Sequence, residues 1–305
     1  MQAPMKLAAI VSAVFGVMVV SPLAQDARPT FRSAIQRVAL SVVVRDGHGR
    51  PMTGLSTKDF RVLDNGYLAH ISDFVTEDQP INLAILMDTS GSMVVGDRLT
   101  AARNAAREVV RQLQPGRDSA GLFTFDKRLH EVSPLSVDFT PFEEALKTVV
   151  PFGSTSLRDA VAATAQRLAG ESSSRRAVVV ISDGLDNSSK LSSSEVSRIA
   201  SGIDVPVYVL AVGRSAESVK SDLAAIASVS TDPIELLAVR TGGVTLPAET
   251  PAQIRDSARE VLTDLRSSYL VAFAPRNVPG WHQLSVTVSR DYASVRTRTA
   301  FWLGD

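Results

Sequence analysis

Asp88-Thr89-Ser90-Gly91-Ser92 places a carboxylate and two hydroxyls at alternate positions directly after the apolar run Leu83 to Met87. In a tight turn at the end of a strand these three side-chain oxygens converge. That is a donor set for a hard divalent cation, Mg²⁺ first, with Mn²⁺ and Ca²⁺ as alternatives, because such ions prefer oxygen ligands. Two further donors stand at comparable places. Thr155, in Gly153-Ser154-Thr155-Ser156-Leu157, precedes a helical pattern, and Asp183, in Ser182-Asp183-Gly184, follows the apolar run Ala177 to Ile181. Taken alone, Asp88 to Ser92 also reads as a helix N-cap turn, since Asp, Ser and Thr are the usual capping residues. Likewise Thr155 or its serine neighbours read as the cap of a helix beginning at Leu157, and Asp183 as a turn closed by Gly184. Asp97 and Asp126 read as solvated loop acids.

Other chemistries lack their residues. Cysteine is absent, which removes thiolate metal sites, disulfides and cysteine nucleophiles. The 32 basic side chains are balanced by 32 acidic ones, so there is no overall positive field for a nucleic acid. No Gly-x-x-x-x-Gly-Lys-Ser/Thr loop and no Gly-x-Ser-x-Gly elbow occurs. Asp-Thr-Ser-Gly has the wrong order for an aspartic protease, and no second such segment exists. His48, His70, His130 and His282 fall in turns or strands, where surface or satisfied positions are the plain reading. The chain is therefore expected not to be an enzyme.

The elements that must position Asp88, Thr155 and Asp183 are legible as alternating strands and helices. Leu83 to Met87, Ala120 to Phe125, Ala177 to Ile181 and Val205 to Val212 are apolar runs suited to strands buried on both faces of a parallel sheet. Between them, Arg98 to Leu113, Pro141 to Val149, Leu157 to Ala169 and Ser193 to Ala200 read as helices. The predicted fold is α/β, a doubly wound, mainly parallel sheet over residues 79–248. A connecting helix follows over 249–267. Its interleaved Arg255, Arg259, Arg266, Asp256, Glu260 and Asp264 suggest a solvated face.

Both flanks read as β. Val38, Leu40, Val42 and Val44 alternate, and Asp64-Asn65-Gly66 marks a hairpin within 33–78. Tyr269, Val271 and Phe273, then Leu284, Val286 and Val288, alternate within 268–305. Each flank, at about 40 residues, is too short for a core of its own. They are expected to pair into one β-sandwich-like domain carrying the α/β unit. Arg296 and Arg298 suggest an outward, charged strand edge.

At the N-terminus, Lys6, the apolar run Leu7 to Val20 and Ser21-Pro22-Leu23-Ala24 read as a signal peptide over 1–24. The expected location is secreted or periplasmic, with membrane attachment only if this segment stays uncleaved.

Asp88-x-Ser90-x-Ser92, Thr155 before a helix and Asp183 in Ser-Asp-Gly together resemble the metal-ion-dependent adhesion site of von Willebrand factor type A domains. The resemblance covers about residues 79–248, including Thr241-Gly242-Gly243. The flanks are similar to those of a bacterial group of secreted von Willebrand-related proteins, in Val44 to Pro51, Gly54 to Phe60, Ser268-Tyr269-Leu270 and Trp281-His282. The resemblance implies that Ser90 and Ser92 ligate Mg²⁺ directly and that Thr155 does so directly or through water. Asp88 and Asp183 would act through water and by holding the hydroxyls. One coordination position would remain for an Asp or Glu carboxylate of a protein partner. It thus implies a non-enzymatic binding or adhesion protein. The alternative is a structural or assembly component of the cell envelope whose contacts are made by the β flanks.

Overall fold

The computed structural model describes residues 37–304 apart from 77, 152, 169–174, 187, 193–194, 197, 200–204, 216, 220 and 222–233. The segment read as a signal peptide lies outside the described residues, as does part of the helix expected over Ser193 to Ala200. In chain order the elements are β1 (Val38–Arg45), β2 (Phe60–Asp64), β3 (Tyr67–Ala69), β4 (Ile71–Val75), β5 (Ile81–Asp88) and α1 (Arg98–Arg111). There follow β6 (Ser119–Phe125), β7 (Leu129–Ser136), α2 (Thr140–Thr148), α3 (Leu157–Leu168), β8 (Arg175–Ser182) and β9 (Val207–Ala211). The chain continues through α4 (Ile234–Thr241), β10 (Thr245–Pro247), α5 (Pro251–Ser267), β11 (Tyr269–Phe273), β12 (Gly280–Val288), β13 (Ser294–Arg296) and β14 (Ala300–Leu303).

A central sheet has the order β10-β9-β8-β5-β6-β7, parallel except for the edge strand β7. Strand alternation divides β5 between two cores. Ile81, Leu83, Ile85 and Met87 pack with α1, α2 and α5, whereas Ala84 and Leu86 pack with α3 and α4. Both faces are covered, which is why the strands are continuously apolar. From β5 the chain winds to β6 on one side, then returns to β8 on the other. The order of winding therefore reverses between β5 and β8, and a crevice opens at the carboxyl ends of strands at such a switch point. Asp88 ends β5 and Asp183 follows β8 at this place.

The flanks form two further four-stranded sheets, β13-β1-β11-β4 and β14-β12-β2-β3. Each mixes strands from before and after the α/β unit: β1 pairs β11 and β13, β4 pairs β11, and β12 pairs β2, all antiparallel. Leu40, Val42, Phe60, Val62, Tyr269, Val271, Phe273 and Phe301 fill the space between the sheets. The expected hairpin turn is present, with Asn65 and Gly66 both at positive φ (50° and 81°) joining β2 to β3.

Two charged features differ from the sequence reading. Asp264 does not lie on a solvated face: it is fully buried and binds Arg45 of β1 at 2.5 Å together with Arg296 of β13. Arg296 and Arg298 are accordingly not an outward edge. Arg298 is buried and donates to the Ala39 carbonyl at 2.6 Å. β13 ends at Arg296, whose guanidinium turns to Asp264 of α5, while Arg298 lies beyond the strand, and a charge can be covered only when it is paired or hydrogen-bonded. Arg175, the first residue of β8, is buried too. Its N–H donates to the Pro80 carbonyl at 2.8 Å and its guanidinium to the Leu265 carbonyl at 2.7 Å and Ser268 carbonyl at 2.5 Å. It thus holds both the entry to and the exit from the α/β unit. Among the described residues no helix is long and apolar enough to cross a membrane.

Candidate metal centre

The parallel register sets Met87 opposite Ile181, so Asp88 and Ser182 are neighbours at adjoining strand ends. Asp88 is fully buried, and both its oxygens are engaged. Oδ1 accepts the Ser90 N–H at 2.8 Å and Oδ2 accepts the Ser182 hydroxyl at 2.6 Å. Burial pushes the Asp88 carboxyl above the usual carboxylate range. The bonds from Ser182 and Ser90 oppose that shift and the nearby Asp183 charge adds to it. Thr89 secures the turn from its other side: its N–H and hydroxyl both donate to the Phe125 carbonyl at the end of β6, at 3.0 and 2.8 Å.

With the turn fixed this way, the Ser90 and Ser92 hydroxyl oxygens lie 3.0 Å apart. Neighbouring oxygens in an octahedral shell with bonds of 2.0–2.1 Å are about 2.8–3.0 Å apart, so this spacing fits a shared Mg²⁺. Thr155 is buried in the adjoining loop. That loop is tied to the Asp88 turn by Gly91 N–H donating to the Gly153 carbonyl at 2.9 Å, and to the end of β6 by Ser156 N–H donating to the Asp126 carbonyl at 2.8 Å. Gly153 has φ of +97°, and a Cβ there would stand 3.1 Å from that of Asp126, so a side chain would push the loop away. Beside Thr155, the buried Ser154 hydroxyl has no hydrogen-bond partner among the described residues.

Asp183 is buried and its Oδ2 accepts from Arg98 Nη1 at 2.9 Å; the same nitrogen reaches the Ser92 carbonyl at 3.3 Å. Asp183 Oδ1 accepts the Leu185 N–H at 3.2 Å. Hydrogen bonds therefore link Asp88, Ser90, Ser92 and Asp183 into one cluster, and Thr155 lies in a loop bound to it. Among the described residues there is no group of three or more His, Cys, Asp or Glu able to hold a metal. The cluster belongs to a different donor class, two carboxylates with three hydroxyls, and the chemistry of these oxygens, with the 3.0 Å between Ser90 and Ser92, fits a hard divalent cation.

Two residues of this cluster escaped the sequence reading. In the sequence Ser182 is only a neighbour of Asp183, and Arg98 only the start of a helix. The cap of α3 is also not where it was expected. Its free N–H groups, on Arg158 and Asp159, are taken by Ser189 Oγ at 3.0 and 3.3 Å and, at Arg158, by Asp186 Oδ2 at 3.1 Å. The loop after Asp183, Asp186 included, thereby closes the helix that follows Thr155.

Residues 83–185 match the family model of the von Willebrand factor type A domain. The chain is 26% identical over 144 residues to an uncharacterised protein of Borreliella burgdorferi, a stretch covering 45% of this chain and 42% of that protein. It thus spans less than half the length of the curated relative it matches. Among solved structures it is similar to the conserved hypothetical protein BatB from Bacteroides thetaiotaomicron, at 18% identity over 61% of this chain and all of that one, with a TM-score of 0.48. It is also similar to a von Willebrand factor type A protein from Catenulispora acidiphila, at 14% identity over 90% of this chain and 76% of that one, with a TM-score of 0.48. Asp88, Ser90, Ser92 and Asp183, at the carboxyl ends of β5 and β8, and Thr155, before α3, all fall within the matched stretch, and this part of the chain is a von Willebrand factor type A domain.

Proposed function

We propose that this protein acts outside the cytoplasm as a non-enzymatic binding or adhesion protein, taking an Asp or Glu carboxylate of a protein partner at a Mg²⁺-dependent site. Domains of this type serve in protein–protein interaction and adhesion. The observation that carries the reading is the 3.0 Å spacing of the Ser90 and Ser92 hydroxyls, held by a buried Asp88 whose own oxygens are both occupied. Ser90, Ser92 and Thr155 would hold the cation, and Asp88 and Asp183 would orient the hydroxyls and supply negative charge. When bound, the cation supplies a positive position that accepts one external oxygen. Val94 and Val95 beyond Ser92, Val150 before the Thr155 loop and Leu185 beyond Asp183 are all exposed, and would give apolar contact around the carboxylate.

Titration calorimetry with Mg²⁺, followed by capture from native envelope or medium with and without EDTA, tests this reading. Wild type should take up the cation and bind in an EDTA-sensitive way, and Asp88→Ala should lose both. Retention of both by Asp88→Ala would overturn it. A second reading, an envelope assembly component using the β flanks, is favoured by Trp281 and Trp302. These lie paired across β12 and β14 with ring centroids 5.7 Å apart and are both partly exposed on the outer face of the sandwich. Binding that survives EDTA but is lost in Trp281→Ala would favour that reading.

A further inference from the structure

Arg98 opens α1 six residues after Ser92, and three loops converge on it. Its Nη1 donates to Asp183 Oδ2 beyond β8 and to the Ser92 carbonyl beyond β5, at 2.9 and 3.3 Å. Its stem crosses Gly213, in the turn beyond β9. A Cβ at Gly213 would stand 2.5 Å from Arg98 Nε and 3.1 Å from Cγ and Cδ, so any side chain there would displace the arginine. The turn carrying Gly213 is fastened to the site, since Val212 N–H donates to the Ser182 carbonyl at 3.1 Å. The guanidinium therefore has a built seat against the cluster, one side of it facing the buried Asp183 carboxylate.

A cation this close to the donor set changes its charge balance. Two carboxylates and three neutral hydroxyls would present two negative charges, and a divalent ion would leave that set neutral. With Arg98 counted, the empty cluster carries one net negative charge and the loaded cluster one net positive charge. We propose that Arg98 is a positioning residue that sets this balance: it weakens cation uptake and strengthens capture of a carboxylate by the loaded site. This rests on the reading that the cluster is a divalent-cation site for an acidic ligand, and it adds the element that decides how strongly an acid is drawn in. Coulomb coupling makes the two effects opposite in sign, whereas a residue that merely braces Asp183 would support both steps.

Arg98→Met keeps the stem and removes the charge, and Arg98→Lys keeps the charge. The probes are Mg²⁺ alone, followed by calorimetry, and acetate on the Mn²⁺-loaded protein, followed by broadening of its methyl resonance. Thermal unfolding of each variant establishes that it is folded. An opposite charge at hydrogen-bond range alters the affinity of a carboxylate for its proton by about tenfold or more, and the same scale applies here. Arg98→Met should bind Mg²⁺ about tenfold more tightly and acetate about tenfold more weakly, and Arg98→Lys should restore both. Loss of both affinities in a folded Arg98→Met, or no change in either, overturns this assignment while wild-type loading leaves the metal reading intact. A wild type that takes up no divalent cation overturns both.

Discussion

At the scale of single residues the decisive group is Asp88, a carboxylate with no exposure to water whose two oxygens are satisfied by a backbone N–H and by the Ser182 hydroxyl. Leaving a buried charged acceptor unpaired costs more than the net value of the bond itself, about 1–3 kcal/mol or more. Ser182→Ala should therefore lower stability by about 2 kcal/mol and weaken Mg²⁺ uptake, because the same bond orients the turn carrying Ser90. Urea unfolding with Mg²⁺ calorimetry checks both, and a variant unchanged in each would show that Asp88 does not depend on this partner. Asp88, Ser90, Ser92, Thr155 and Asp183 stand out in the sequence because their types and spacing, with the resemblance they carry, suggest the chemistry of the proposed site. Ser182 and Arg98 do not. They work through partners 94 and 85 positions away, and only the parallel register of β5 and β8 brings those partners within reach.

At the scale of elements the loop after β8 does more than carry Asp183. Asp186 and Ser189 close the amino end of α3, and Asp159 of α3 in turn accepts the N–H groups of Lys190 and Leu191, at 3.0 and 2.9 Å. The loops of Thr155 and Asp183 thus share one set of hydrogen bonds. Burial alone would raise the Asp186 carboxyl. The hydrogen bonds from Ser189 and the Arg158 N–H, with the Arg158 charge, more than offset this and hold it below its ordinary value. A carboxyl depressed by folding contributes stability above its unfolded pKa and loses it as pH falls through the folded one. Amide exchange at Arg158 and Ser189, corrected for intrinsic rate, should accelerate as pH falls below the ordinary carboxylate range. Asp186→Asn should abolish that step, and a step unchanged in this variant would assign it to another group. The bounds of α1, α2, α3 and α5 were readable to within a residue or two, because an amphipathic run with a stop signal is local, whereas α4 was not read at all. The capping of α3 from a distant loop is a tertiary contact with no local signature.

At the scale of the whole molecule the flanks and the α/β unit are joined through Asp264, which reaches from α5 to arginines on β1 and β13. Its surroundings explain why the sequence misled: alternating charges along α5 look solvated until the sandwich is placed over them. Removing one member of a buried ion pair costs about 3–5 kcal/mol, and here the partly exposed arginines, with Arg45 still 3.5 Å from Glu260, hold the loss at or below the lower figure. Asp264→Asn should lower stability by about that amount, and should split the calorimetric unfolding of the chain into separate transitions for the α/β unit and the sandwich. A single endotherm at the wild-type temperature would show that the two are held by other contacts. That the flanks would pair into one sandwich was expected from their length; that each sheet mixes strands of both, and which strand pairs with which, was not, because register depends on the partner strand.

The grip of Arg175 on Pro80, Leu265 and Ser268 fixes where the chain enters and leaves the α/β unit, at the amino ends of its strands. The hydroxyl cluster stands at the carboxyl ends, about 23 Å away along an eight-residue strand. Were the proposed site to hold a ligand, traction on it would run along the sheet to two tethers that enter the sandwich side by side, as the paired strands β4 and β11. Under the proposed function, neither peptide connection would then bear the full load.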